Sequence, residues 1–240
     1  MSTMLDQMEF ADNPEPRCPV VLLLDTSGSM SGKPLQEVNQ GLQLLSNDLR
    51  QDTLAALRVE LAVVTCGGDV SAMRCTQGRT ERIPLDAAQA FMTADQFEAP
   101  TLTASGDTPL GRASRDALQL LRDRKAIYRS QGVDYFRPWL FIMTDGQPTD
   151  RDWETAAEEL RAEEQRKGVL VFSVGVEGAN LNALSKFGER QPLALKSISS
   201  SPGAFREYFS WVSKSLSAIA QSRPGDQIAL PPVDWANVQV

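Results

Sequence analysis

The feature that most restricts the fold is a repeated pairing of a short unbroken apolar run with a helix-period stripe. Residues 20–24 read VVLLL, with no polar side chain among them. A run so short and continuous suits a strand covered on both faces. Pro34 fits the first turn of a helix. Leu35, Val38, Leu42, Leu45 and Leu49 follow at 3-4-3-4 spacing, one apolar stripe along it. The pairing then returns. LRVELAVVTC, residues 57–66, alternates Leu57, Val59, Leu61 and Val63 as a second strand. Pro109 opens a helix with Leu110, Ala113, Ala117, Leu120 and Leu121 inward. WLFIMT, residues 139–144, is a third strand, and a helix from Trp153 to Lys167 turns Ala156, Ala157 and Leu160 inward, its EELRAEEQRKG run reading as a solvated face. VLVFSVGV, residues 169–176, is a fourth strand. The last helix, residues 203–220, carries Phe205, Phe209, Val212, Leu216 and Ile219.

Smaller elements fill the gaps: a hairpin of Val70–Cys75 and Arg79–Ile83 around Gln77-Gly78, a short helix at Leu181–Phe187, and a strand at Leu193–Ser197. Residues 86–107 have no strong period. Strands alternating with amphipathic helices predict one α/β domain, a mostly parallel central sheet with helices on both faces. The expected domain spans residues 17–220, between tails at 1–16 and 221–240.

The composition removes several function classes. The chain of 240 residues carries a net charge of −7 and no histidine. Phosphate binding depends on clustered Lys and Arg, so nucleic acid is not an expected partner. Without histidine, neither a Ser-His-Asp mechanism nor a His-ligated zinc is available within this chain. No apolar run has the roughly 18 residues that a membrane span needs, and the acidic N-terminus does not read as a signal peptide. Cys18, Cys66 and Cys75 lack metal-ligand spacing and read as reduced structural thiols of a cytoplasmic protein.

Two buried strands run straight into aspartates, Asp25 and Asp145. In sheets of this kind ligands bind beyond the carboxyl ends of the strands. Three chemistries compete for DTSGS, residues 25–29. An aspartic protease would show Asp-Thr-Gly or Asp-Ser-Gly twice on an all-β chain; Ser27 intrudes, and no second copy appears. A phosphoryl-accepting Asp25 usually has a second carboxylate two residues on, where this chain has Ser27, and its downstream lysine is not evident. It stands as the alternative: a Mg²⁺-dependent phosphotransfer enzyme with Asp25 as nucleophile. The third reading uses more residues. Asp25, Ser27 and Ser29 alternate, so a near-extended loop would point all three to one side. Thr108 sits at a helix mouth before Pro109, and Asp145 ends its strand. These five form an all-oxygen set suited to Mg²⁺ or Mn²⁺. Thr144 and Gln147 flank the set without being counted in it, and Asp107, Asp150 and Asp152 read as loop or helix-start residues.

These motifs resemble the von Willebrand factor type A (VWA) family. DTSGS matches its Asp-x-Ser-x-Ser signature, Thr108 in SGDTPLG its separate threonine, and MTDGQPTD its strand-ending aspartate. The resemblance covers about residues 17–220. It implies a Rossmann-like domain whose metal-ion-dependent adhesion site is Asp25, Ser27, Ser29, Thr108 and Asp145. The hydroxyls would bind the ion directly and the carboxylates directly or through water, with a protein partner's acidic residue completing the shell. No bond would be broken, so the protein would not be an enzyme. LLLDTSGSM, TLTASGDTPLG, RPWLFIMTDGQPTD, FSVGVEGAN and SRPGDQIALP further resemble the bacterial TerY-like branch, linked to tellurium resistance. That branch implies a cytoplasmic protein acting with a protein kinase and a PP2C-type phosphatase. Many of its members carry Gly where this chain has Asp107.

Overall fold

A computed structural model describes residues 10, 12–176, 178–195, 203–233 and 236–238. Most of the expected N-terminal tail, the end of the Leu193–Ser197 strand, and Asp234 and Trp235 of the C-terminal tail lie outside the described residues. Within them the sheet runs in the order β4-β3-β2-β1-β6-β7-β8-β9. The strands are β1 (Cys18–Asp25), β2 (Val59–Gly67), β3 (Asp69–Thr76), β4 (Arg79–Ile83), β5 (Met92–Thr93), β6 (Trp139–Thr144), β7 (Leu170–Gly175), β8 (Leu193–Leu195) and β9 (Ala236–Val238). β2, β1, β6, β7 and β8 are mutually parallel. The β3–β4 hairpin, β5 and β9 add antiparallel edges. The expected mostly parallel α/β sheet is present, and β1 is central to it.

Alternation along β1 sets the two cores. Val20, Leu22 and Leu24 face one layer with Phe141, Met143 and Val63. That layer is covered by α1 (Lys33–Gln51) and α7 (Ala204–Ala220), whose stripes Leu35, Val38, Leu42, Leu45, Leu49 and Phe205, Phe209, Val212, Leu216 are buried as their spacing predicts. Val21 and Leu23 face the other layer with Ala62, Val64, Leu140 and Ile142, against α4 (Leu110–Gln131) and α5 (Trp153–Gln165). Burying both faces of β1 removes apolar area from water at roughly 25 cal/mol per Å², the main stabilising term of such a sheet.

Some boundaries differ from expectation. Leu57 and Arg58 end a short helix, α2 (Thr53–Arg58), because Asp52 caps it through Leu54 N and Ala55 N; Leu57 is left exposed and β2 starts at Val59. Two further short helices, α3 (Ala87–Ala90) and α6 (Leu181–Leu184), complete the set. Gln77 and Gly78 turn the hairpin with φ of +52° and +75°, as this turn demands. The acidic run on α5 is not wholly solvated: Glu164 is buried and accepts from Val171 N (3.0 Å) and Glu189 N (2.7 Å), fastening the helix to β7. Both flanks touch the body. Phe10 is buried against Tyr128, and Trp211 Nε1 donates to Pro231 O at 2.8 Å.

Candidate functional site

β1 and β6 lie side by side in parallel, so Asp25 and Asp145 leave the sheet at the same end. Beyond Asp25 the chain does not stay extended. Ser27 is extended (φ −63°, ψ 168°), but Gly28–Met30 forms a 3₁₀ turn. The hydroxyls converge nonetheless, because the turn brings Ser29 Oγ back to 3.0 Å from Ser27 Oγ. Ser29 Oγ also donates to Asp145 Oδ1 at 2.9 Å. A bond across 116 residues thus closes one side of the site.

Thr108 arrives by a third loop, fastened by its backbone. Ser105 N donates to Thr26 O (2.7 Å), Gly28 N to Gly106 O (2.9 Å) and Gly68 N to Asp107 O (2.8 Å). Gly106 is required here: its φ is +73°, and a Cβ would fall 2.5 Å from Gly68 Cα. Thr108 O then accepts from Leu110 N (2.8 Å) and Thr149 N (2.9 Å), tying the start of α4 to the loop after β6. Thr108 is buried, and its Oγ1 lies 3.6 Å from where a Cβ on Gly146 would stand, beside Asp145.

Asp25 is 1% exposed. Its Oδ1 accepts from Ser27 N at 2.8 Å, and its Oδ2 accepts from Thr144 Oγ1. Burial pushes its carboxyl above the ordinary value; hydrogen bonds from Thr144 and Ser27 pull the other way, and the Asp145 charge adds to the rise. The same burial, reinforced by the Asp25 charge, raises the neighbouring Cys66 thiol. All three cysteines are free and buried.

All five expected residues therefore meet at one end of the sheet. The residues around them divide by role. Asp150 caps α4 through Gly111 N (3.1 Å) and Arg112 N (2.7 Å), and Asp152 pairs with Arg115, as expected of loop and helix-start residues. Asp107 is exposed. Thr144, set aside in the sequence, bonds Asp25 directly; its only signal there was its place before Asp145. Among the described residues no group of three or more His, Cys, Asp or Glu side chains gathers as a metal site. The cluster here is of another kind, two carboxylates and three hydroxyls.

The model of the von Willebrand factor type A domain matches residues 20–221. The chain belongs to that family. Among solved structures, this VWA domain is similar to a von Willebrand factor type A protein from Catenulispora acidiphila, at 18% identity and a TM-score of 0.58, over 85% of this chain and 43% of that one. It is similar to the pilus adhesin SpaC of Lactobacillus rhamnosus GG at 12% identity and a TM-score of 0.60, over 86% and 31% of the chains. A third similar structure is proximal thread matrix protein 1 of the mussel byssus with a zinc-occupied MIDAS motif, at 15% identity and a TM-score of 0.52, over 84% and 47%. At these identities the likeness is one of fold. The VWA domain spans less than half the length of each of these chains. Comparison with curated protein sequences gives no match. Among the described residues no helix is long and apolar enough to cross a membrane.

Proposed function

We propose that this VWA domain binds Mg²⁺ or Mn²⁺ through Asp25, Ser27, Ser29, Thr108 and Asp145, and thereby holds an acidic group of a protein partner. The observation that carries the reading is the Ser27–Ser29–Asp145 chain of contacts at 3.0 and 2.9 Å, beside a buried Asp25. The donors fit such an ion: all are oxygens, with no nitrogen or sulfur among them. Ser27, Ser29 and Thr108 would be direct ligands, and Asp25 and Asp145 direct or water-mediated ones. When bound, the ion supplies a positive charge that three neutral hydroxyls leave less compensated than four carboxylates would. An Asp, Glu or phosphate of a partner then completes the shell, and partner and ion strengthen each other's binding reciprocally.

In this reading the domain is not an enzyme. The unit is residues 17–220, flanked by residues 1–16 and by residues 221–240, of which Ala236–Val238 add an edge strand to its sheet. The phrases shared with the TerY-like branch support a cytoplasmic setting beside a protein kinase and a PP2C-type phosphatase, in a bacterial stress or tellurium-resistance module. The phosphotransfer alternative, with Asp25 as nucleophile, has less support, since Ser27 N and Thr144 Oγ1 engage its oxygens.

Calorimetric titration with MnCl₂ and MgCl₂ tests the ion. Wild type should bind one equivalent, and Ser27→Ala/Ser29→Ala should lose at least about tenfold in affinity, the scale of losing ligands or their supports. Co-precipitation with the purified kinase and phosphatase, with and without EDTA, tests the partner. Capture indifferent to EDTA and to the double variant would remove the ion from the mechanism. Phosphoester hydrolysis abolished by Asp25→Asn would establish the enzymatic alternative instead.

A further inference from the structure

We infer that Thr144 is a positioning residue for the ion site, fixing Asp25 against the Asp145 loop through one hydroxyl. This rests on the metal-binding reading above. Thr144 is fully buried at the end of β6. Its Oγ1 donates its single proton to Asp25 Oδ2 and accepts from Gly146 N at 3.1 Å. One hydroxyl thus spans β1 and β6, holding the carboxylate on one strand and the turn after Asp145 on the other. An ionised Asp25 has no proton to give, so Gly146 N donates to Thr144 and the Thr144 hydroxyl donates its one proton to Asp25. In this arrangement Asp25 accepts on both of its oxygens, one from each side.

The consequence concerns rotation. With Ser27 N on Oδ1 and Thr144 on Oδ2, Asp25 cannot turn without breaking a hydrogen bond at a carboxylate that is itself buried. Without Thr144 the carboxylate keeps one anchor, and Gly146 N loses its acceptor beside Asp145. Partners that orient ligands in this way contribute to metal affinity although they do not touch the ion.

The test compares Thr144→Val, of equal shape without the hydroxyl, Thr144→Ser, which restores it, and Thr144→Cys, a weak donor. Manganese affinity is read from the EPR signal of free Mn²⁺. Thr144→Val should weaken binding about 10- to 100-fold, Thr144→Ser should stay within about threefold of wild type, and Thr144→Cys should fall between. The rise in melting temperature produced by Mn²⁺ should shrink in the same order. A role confined to packing would lower the melting temperature alike with Mn²⁺ or EDTA and leave the affinity unchanged. Equal affinity in Thr144→Val and wild type overturns the inference. If circular dichroism shows Thr144→Val unfolded, Thr144→Cys decides, and wild-type affinity there overturns it equally. Absence of Mn²⁺ binding by wild type removes the underlying reading, a separate outcome.

Discussion

The two ends of the central sheet each bury a carboxylate, and they treat it in opposite ways. At the end where β1 and β2 begin, Glu60 is fully buried between two guanidiniums, with Arg17 Nε 3.0 Å from Oε1 and Arg124 Nε 2.7 Å from Oε2. Tyr128 adds its hydroxyl, and the Phe10 ring lies 5.4 and 5.3 Å from the two guanidinium carbons. Arg124 Nη1 reaches Ala87 O, and Arg17 Nη2 reaches Asn13 O, so the cluster also ties in surrounding chain. At the opposite end, the bonds to Asp25 come from a backbone N–H and a hydroxyl, and the charge that acts on it is another carboxylate, Asp145. A buried charge is costly unless paired. The protein pairs Glu60 from its own chain and leaves Asp25 with neutral donors. The first arrangement locks strands and flank in place. The second would be completed, under the proposed function, by a cation from solution.

The largest expected effect breaks the closed end. Glu60→Ala removes the buried carboxylate that both Arg17 and Arg124 bond and should cost about 3–5 kcal/mol in urea denaturation. The loss should be the same with EDTA or Mn²⁺, because both cations belong to the protein. A Mn²⁺-dependent loss would mean the two ends are coupled, and the contrast drawn here would fail. Asp25→Asn probes the open end and should behave in reverse. Metal-free, the variant should lie within about 1 kcal/mol of wild type, since the amide oxygen still accepts a hydrogen bond. With Mn²⁺ at a hundredfold excess over its dissociation constant, wild type should gain about 2.7 kcal/mol that the variant does not. Thermal melts with and without Mn²⁺ read this directly; equal gains in both proteins would show that Asp25 is not where the ion sits.

The contrast also explains what could be read in the sequence. Periodicity reports burial, so the stripes on α1, α4 and α7 and the runs of β1, β6 and β7 were legible within a few residues. That the five residues lie together was legible because they occupy strand exits and a helix mouth, places that the topology brings together. Loop geometry was not: alternation of Asp25, Ser27 and Ser29 implied an extended path, whereas a 3₁₀ turn folds Ser29 back. The buried ion pairs were not legible either. Glu60 sits among apolar residues of β2 and Glu164 within a charged run of α5, and what buries them is contact with residues up to 68 positions away. Local pattern carries no information on such partners. The helix Thr53–Arg58 was hidden for a related reason: Leu57 joins the alternating run of β2, and only the cap from Asp52 draws it into a helix.

That cap supplies the smallest and most selective test. Asp52 Oδ1 accepts from Leu54 N at 3.1 Å and Ala55 N at 3.0 Å, and its Oδ2 accepts from Gln221 Nε2 at 3.4 Å. Burial alone would raise its carboxyl, but the bonds from Ala55, Ser217, Leu54 and Gln221 outweigh that and hold it below the ordinary value. Here, then, is a third carboxylate, satisfied by neutral donors and without a like-charged neighbour acting on it. Asp52→Ala should cost about 1 kcal/mol, unchanged by Mn²⁺. Because the folded value lies below the unfolded one of about 3.9, the ionised cap stabilises above that pH and its contribution fades as pH falls through the folded value. The gap between wild type and variant should therefore be full at neutral pH and narrow below about pH 4. If the gap instead depended on Mn²⁺, neutral donors alone would not distinguish a cap from an ion site, and the charge of Asp145 beside Asp25 would lose its explanatory place.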